Sequence, residues 1–338
     1  MTQPTMLSAR FLGEEKITLE EVPIPEPGPG EVLLRTSYCG LCGSDKRLYY
    51  RGAAVTPGHE LTGTVAKNGP GVVAPLGQRV AVYIHRYCGK CKFCLVGETN
   101  HCSSAGGLVG WQTPGGYAQY LVAPAANLIP LPDDISDAEG VLLLDTIGTA
   151  AEGIRKSMHN ATSKARSQNA AVIGCGPLGL GSQLILSSLG WADVYVYDPA
   201  QPRLDVAVAW GGKAITPDAP AFRSSFGVVV EASGHHTARA LAMSLVETGG
   251  SLLLLGENDN PWTITPSPEL RRKDCAYIRS YYFPIGAAQA NMDLLRARRT
   301  QYREMLTPIV PLEGLQAAFA DFAAGKTLKP LVKPNTNG

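Results

Sequence analysis

The sequence lacks any surplus of charge. Thirty Lys and Arg stand against twenty-nine Asp and Glu, for a formal net charge of +1. Such a balance gives no electrostatic hold on nucleic acid or an anionic membrane, and neither is expected as a partner. Long apolar runs are missing too. The four leucines at 252–255 fall far short of the roughly 20 residues a membrane helix needs. The opening residues, Met1-Thr2-Gln3-Pro4-Thr5-Met6, have neither the basic nor the apolar region of a secretory signal. Cysteine is scarce, with eight in 338 residues, yet four crowd between positions 88 and 102. Clustered cysteines without a signal favour metal over disulfides and a reducing compartment, so a cytoplasmic protein is expected. No low-complexity tract or internal repeat is visible. With 45% apolar and 17% charged residues the composition is that of an ordinary folded protein, which excludes extended disorder. The length suggests two domains.

The first part of the chain reads as β-rich. Short strands are expected at 6–12, 17–22, 31–37, 61–65, 79–84 and 117–122, with Pro and Gly between them. That is the texture of a compact antiparallel barrel with long loops. Residues 137–154 read as one apolar helix, followed by a polar stretch at 156–169. From residue 169 the texture changes. Strands at 170–173, 194–197, 226–231, 251–255 and 276–283 alternate with helical segments, notably one through Leu189 and one at 237–246. Such alternation implies a parallel sheet with right-handed crossovers. A helix at 285–299, another at 312–324 and a last strand at 328–332 close the chain.

Cys88, Cys91, Cys94 and Cys102 form the loudest signal. Ligands at i, i+3 and i+6 let one tight turn wrap a metal, and a fourth eight residues on closes a tetrahedron, as structural zinc requires. His101 is a lesser alternative to Cys102. Cys39 and Cys42 make a C-x-x-C pair, but nothing around them resembles a thioredoxin, and Cys39 reads as a core thiol.

The run Ile173-Gly174-Cys175-Gly176-Pro177-Leu178-Gly179 follows a strand and opens a helix. Gly174 permits the tight turn, Gly176 lets backbone approach a pyrophosphate, and Gly179 lets helix and strand pack closely. Alone this pattern is weak, because glycines also serve ordinary turns. Asp198, nineteen residues past Gly179 at the end of the next strand, strengthens it, since an acid there suits the adenosine ribose hydroxyls. A 2′-phosphate about 4 Å from that carboxylate would cost on the order of 4 kcal/mol at surface-like dielectric, which favours NAD over NADP. Arg203 reads either as a phosphate partner that softens this preference or as a solvated helix residue.

A second constellation is Cys42-Gly43-Ser44-Asp45 with Gly58-His59-Glu60. Thiolate and imidazole are good zinc ligands, and three protein ligands with one open position make a catalytic site. The third ligand must be found elsewhere. Asp145, an acid in an apolar stretch, is the first candidate, because a buried carboxylate is costly unless paired or metal-bound. Glu60 is its rival, and a plain turn-capping role for Asp145 stays open. Cys42 and His59 also admit bland readings, as a buried thiol and a hydrogen-bonded core residue.

Taken together, these motifs resemble the zinc-dependent medium-chain dehydrogenases/reductases, the alcohol and sorbitol dehydrogenase superfamily. The likeness runs nearly end to end, from Glu21-Val22-Pro23 to Gly325-Lys326. It implies an α/β plus β fold: a GroES-like catalytic domain, a distorted β-barrel, at 1–155 with the cysteine lobe at 88–102, a Rossmann domain at 156–284, and a return to the catalytic domain at 285–338. It implies Cys42, His59 and Asp145 as catalytic zinc ligands, Ser44 as proton relay, Asp45 as the acid orienting His59, and Glu60 beside the metal. It implies two Zn²⁺ per chain, an NAD cofactor, a small-molecule alcohol, polyol or sugar substrate, and a homodimer or homotetramer. Arg47, Ile84 and Trp111 are candidate substrate-pocket residues.

Two departures stand out. Asp145 is one methylene shorter than the Glu of the polyol branch. Arg47 occupies the position of a relay histidine, and a permanently charged guanidinium cannot pass a proton. Alternative readings are an NADP-linked aldehyde or ketone reductase, an amino-alcohol or aminocyclitol dehydrogenase, and a catalytically silent zinc- and nucleotide-binding sensor or scaffold.

Overall fold

The computed structural model describes residues 3–161, 163, 166–216, 219–259, 261–264 and 267–336. Three residues of the polar stretch expected at 156–169 lie outside them. Packing divides the chain into two compact units. Met1–Leu144, Pro284–Gln289 and Tyr302–Gly338 form the first, and Asp145–Phe283 with Ala290–Gln301 the second. The sequence reading put the first boundary eleven residues later, after 155. Residues 145–155 instead belong with the second unit, where helix Ala150–His159 lies against helix Pro177–Ser188 and strands Val246–Leu254 and Ala276–Arg279. Residues 290–301, expected in the catalytic part, also belong to the second unit.

In the first unit a mixed sheet is built on strand Glu31–Gly40, whose residues Val32 and Leu34 are fully buried. Glu60–Asn68 pairs with it antiparallel, and Arg79–Val82 and then Leu128–Pro130 follow on that side. Leu331–Lys333 and Tyr120–Pro124 pair with its other side, and Ile309–Pro311 extends the sheet beyond Leu331–Lys333. Leu34, Leu61, Val80, Tyr117 and Phe319 belong to the apolar core beneath. The register has a direct consequence. Gly40 sits opposite both Glu60 and Leu331, so the chain just past it, at Cys42, is carried to the start of one neighbouring strand and close to the other.

The second unit holds a six-stranded parallel sheet. Its spatial order is Lys213–Ala214, Asp193–Tyr197, Asn169–Ile173, Phe226–Glu231, Val246–Leu254, Ala276–Arg279. In chain order this is 3-2-1-4-5-6, the doubly wound arrangement, and it reverses direction between the first strand and the fourth. Ligands of such sheets bind at that switch point, beyond the carboxyl ends of the strands. The glycine loop leaves the first of these two strands.

Several expected elements differ in detail. The single helix at 137–154 is three pieces: helix Asp137–Leu142, a wide turn Asp145–Thr149 of π type, and helix Ala150–His159. Such a turn inserts a local change of register in the helix and often marks a functional position. The helix expected at 285–299 is also broken, into Ile285–Ala287, Ala288–Ala297 and Arg299–Met305. Helix Gln201–Ala209 lies between the second and third strands, where a helical segment was expected, and it includes Arg203.

Candidate active site

The cysteine lobe is shaped by a short helix, Lys92–Leu95, and the turns around it. The sulfurs of Cys88, Cys91, Cys94 and Cys102 all lie within 4.8 Å of one another. Cys91 is 3.6 Å from Cys94 and 3.9 Å from Cys102, and Cys88 is 4.0 Å from Cys94. Four sulfurs bound tetrahedrally at about 2.3 Å would be about 3.8 Å apart, so the cage fits zinc. Backbone amides also serve it: Cys91 N–H points at Cys88 Sγ and Cys88 N–H at Cys102 Sγ, each at 3.3 Å. Hydrogen bonds from the backbone of Cys94 and Ser103 hold the Cys91 thiol down at about 5. Desolvation and the adjoining Cys91 sulfur push Cys94 up to about 12. Sulfurs so opposed in so small a space require a cation to be thiolates together. His101 is not among the four donors; its Nδ1 lies 3.4 Å from Glu98. The alternative that placed it in the lobe is therefore set aside.

The second constellation is assembled rather than local. Leu144 is fully buried in the first unit, and Asp145 is the next residue. One donor atom each from Cys42, His59, Glu60 and Asp145 lies within 4.8 Å of the others. His59 is 2% exposed, and its Nδ1 is 3.1 Å from Oδ1 of the fully buried Asp45. That contact commits Nδ1 and leaves Nε2 for a metal. Tyr117 donates its hydroxyl to the other Asp45 oxygen at 2.9 Å. Burial and the Asp45 charge hold the Tyr117 phenol well above its usual range. Gly58, at φ +98°, is required by crowding: a Cβ there would lie 2.7 Å from Cys39 Sγ and 2.9 Å from the Tyr117 nitrogen. Cys39 is fully buried, and desolvation keeps its thiol well above the usual range, as suits a core residue. Ser44 Oγ lies 3.3 Å from Cys42 Sγ.

Glu60 is fully buried, and its carboxylate accepts from the ammonium of Lys329, itself 2% exposed. Lys329 also donates to the Leu41 carbonyl at 3.1 Å. Neither Lys329 nor Tyr117 was singled out from sequence. Lys329 stands 269 residues from Glu60, and no local pattern marks it. Asp145 begins the wide turn, and its Oδ1 accepts from the Thr149 hydroxyl at 2.9 Å. Asp145 thus combines a contact within its own turn with a place beside Cys42, His59 and Glu60. A thiol, an imidazole and two carboxylates around one point form a donor set that zinc fits.

Arg47 lies in helix Lys46–Arg51, its guanidinium 5.4 Å from the centre of the Trp111 ring. That ring is 5.8 Å from the His59 ring. Ile84 is 6% exposed, and its carbonyl accepts from Val109 N–H.

In the second unit the glycine loop has the geometry its residues imply. Gly174, at φ +95°, passes so close to Ser233 that a Cβ would lie 2.9 Å from the Ser233 nitrogen. A Cβ on Gly179 would lie 1.8 Å from the Gly174 carbonyl oxygen, so only glycine lets the helix start there. Gly176 faces open space. It caps helix Pro177–Ser188, whose first turn has Pro177 and Leu178. An open glycine at a helix N-terminus is the form of cradle a pyrophosphate fills. Asp198, 8% exposed, accepts from Cys175 N–H at 2.7 Å and Ala200 N–H at 2.8 Å, which fixes its carboxylate beside the loop. Burial and that carboxylate push the Cys175 thiol up to about 12, while the charge of Arg203 pulls the other way.

Residues 28–133 match the family model described as the alcohol dehydrogenase GroES-like domain. The chain is 31% identical to the zinc-type alcohol dehydrogenase-like protein YphC of Escherichia coli (strain K12), over 97% of this chain and 98% of that one. It is 30% identical to an L-threonine 3-dehydrogenase of Mesorhizobium japonicum, over 72% of this chain and 74% of that one. Among solved structures it resembles the alcohol dehydrogenase TADH from Thermus sp. ATN1, with a TM-score of 0.87 at 26% identity, covering 97% and 99% of the two chains. The closed cysteine cage, the thiol–imidazole–carboxylate cluster, the doubly wound sheet with its glycine loop and this likeness all agree: the chain belongs to the zinc-dependent medium-chain dehydrogenase/reductase family and is a zinc-type alcohol dehydrogenase-like oxidoreductase.

Proposed function

We propose that this oxidoreductase transfers hydride between a secondary alcohol, polyol or sugar and NAD. The observation that carries this reading is the convergence of Cys42, His59, Glu60 and Asp145 on one point. Cys42, His59 and Asp145 would hold the catalytic zinc. Glu60 already meets the Lys329 ammonium, which disfavours it as the third ligand. Bound there, the metal would supply Lewis-acid polarisation of a substrate oxygen. Ser44, beside Cys42, would accept the hydroxyl proton. Arg47 holds its own proton permanently, so the proton leaves by another route. Cys88, Cys91, Cys94 and Cys102 would hold a second, structural zinc with no open position. Gly174, Gly176 and Gly179 would seat the cofactor, with Pro177 and Leu178 in the helix turn that faces it. Asp198 would favour NAD by repelling a 2′-phosphate. A cytoplasmic, dimeric or tetrameric enzyme fits this reading.

A second reading is a hydroxy-amino acid substrate. Arg47 stacked on Trp111, close to His59, offers a cation for a substrate carboxylate. One relative is an L-threonine 3-dehydrogenase. A panel of polyols, aldoses, simple secondary alcohols and hydroxy-amino acids, read by NADH and NADPH formation, separates the two. NADH formed from neutral secondary alcohols or polyols supports the first reading. Turnover confined to substrates with a carboxylate supports the second. Metal analysis accompanies the panel: two zincs per chain are expected, and a single zinc with no turnover would overturn both in favour of a silent binding protein.

A further inference from the structure

Glu231 closes strand Phe226–Glu231, in which every residue is buried. It is 0% exposed, and none of the chemistry above uses it. A carboxylate so placed is costly unless donors surround it. Its Oε1 accepts from Ser233 N–H at 2.8 Å, Ser233 Oγ–H at 2.6 Å and Gly234 N–H at 2.8 Å. Its Oε2 faces Arg239 Nε at 3.8 Å. Its backbone carbonyl accepts from Leu255 N–H at 2.8 Å and Gly256 N–H at 2.9 Å. One residue therefore ties together the loops that leave two adjacent strands, both at the carboxyl edge where such sheets bind ligands.

The loop that Glu231 folds is the one that walls the glycine turn. Ala232 N–H donates to the Ile173 carbonyl at 2.9 Å. Ser233 lies where a Cβ on Gly174 would collide, and Ala232 Cβ is 3.4 Å from the Cβ position of Gly179. Gly234 is held closer still against the Glu257 carbonyl oxygen, which would lie 2.3 Å from a Cβ at that position. The turn at Gly174 thus has two supports: Tyr197, whose carbonyl accepts Gly174 N–H at 2.8 Å, and the 232–234 loop.

We propose that Glu231 is a positioning residue for the cofactor: its Oε1 folds residues 232–234 into the wall that presets the glycine turn for a dinucleotide. The inference rests on the dinucleotide reading of Gly174–Gly179. Glu231 touches no cofactor itself and acts through the backbone of Ser233 and Gly234. The requirement is for an acceptor at Oε1, and the charge matters less.

The test is a titration of the zinc-loaded protein with NADH, followed by nucleotide fluorescence, for the wild type and the variants Glu231→Ala, Glu231→Gln and Ser233→Ala. Wild-type protein that binds neither NADH nor NADPH overturns the dinucleotide reading itself. With wild-type binding in hand, Glu231→Ala is expected to weaken NADH about tenfold, while zinc content stays unchanged. Glu231→Gln keeps a carbonyl oxygen for the loop amides and is expected to stay within about threefold of wild type. The KM for NAD should rise in Glu231→Ala by more than kcat falls. Wild-type affinity in folded Glu231→Ala overturns the proposal, as does Glu231→Gln binding as weakly as Glu231→Ala. Should Glu231→Ala fail to fold, Ser233→Ala decides: it removes one of the three donors, and about threefold weaker binding supports the proposal, while unchanged binding overturns it.

Discussion

The two metal-capable clusters of this chain are built in opposite ways. The cysteine cage draws all four donors from fifteen consecutive residues, and the peptide amides of the same segment serve its sulfurs. The cluster at Cys42, His59, Glu60 and Asp145 draws on residues up to 103 positions apart and depends on sheet register to bring them together. Its charges are then balanced by Asp45 beside His59 and, from farther still, by Lys329 on Glu60. A local cage fills its coordination sphere with sulfur and has no vacancy for chemistry. A gathered site can mix a soft thiolate, an imidazole and hard carboxylates, the mixture a catalytic zinc with an open position uses. The contrast separates structural from reactive metal sites better than the mere presence of cysteine.

Three substitutions probe that contrast. The largest effect is expected from Cys42→Ser, which should abolish turnover while leaving one zinc per chain, in the cysteine cage. Atomic absorption together with NADH formation checks it, and full activity would refute the gathered site. Next comes Lys329→Met. Removing one partner of a buried ion pair costs about 3–5 kcal/mol, because the carboxylate of Glu60 loses its counter-charge. Denaturant unfolding should show that loss, and zinc at the gathered site should change while the cage keeps its own. Unchanged stability would mean that Lys329 does not compensate Glu60. The smallest effect belongs to His101→Ala. Its partner, Glu98, is an exposed acid, so stability should shift by no more than about 0.5 kcal/mol and the cage should keep its zinc. Zinc lost from the cage would restore His101 as a ligand.

The parts of the molecule legible in the sequence are those whose physics is local. The strand Phe226–Glu231 and the helix Pro177–Ser188 begin and end close to where periodicity and glycine place them. Asp198 sits beside the glycine loop because strand, turn and helix have fixed dimensions. The helix expected over 137–154 was wrong in its middle. The wide turn at Asp145–Thr149 falls on Asp-Thr-Ile-Gly-Thr, a run of weak helix formers that the apolar pattern on either side of it outweighed in the sequence reading. The unit boundary at Leu144 was missed because helix Ala150–His159 packs on helix Pro177–Ser188 and strands Val246–Leu254 and Ala276–Arg279, partners that lie far along the chain. Tyr117, Lys329 and Glu231 also escaped notice. Each is an ordinary residue in an ordinary stretch, and each matters through partners supplied by folding.

By itself the sequence determined the four-sulfur cage, the glycine turn between strand and helix and the kinds of donor at the second site, because spacing within one turn or one strand-turn-helix unit is set by covalent geometry. Only the tertiary structure decided that Asp45 holds His59, that Lys329 meets Glu60, and that Glu231 folds the wall behind Gly174. Those pairings join residues whose separation along the chain carries no information. They are fixed instead by strand register and by the cost of leaving a buried charge without a partner.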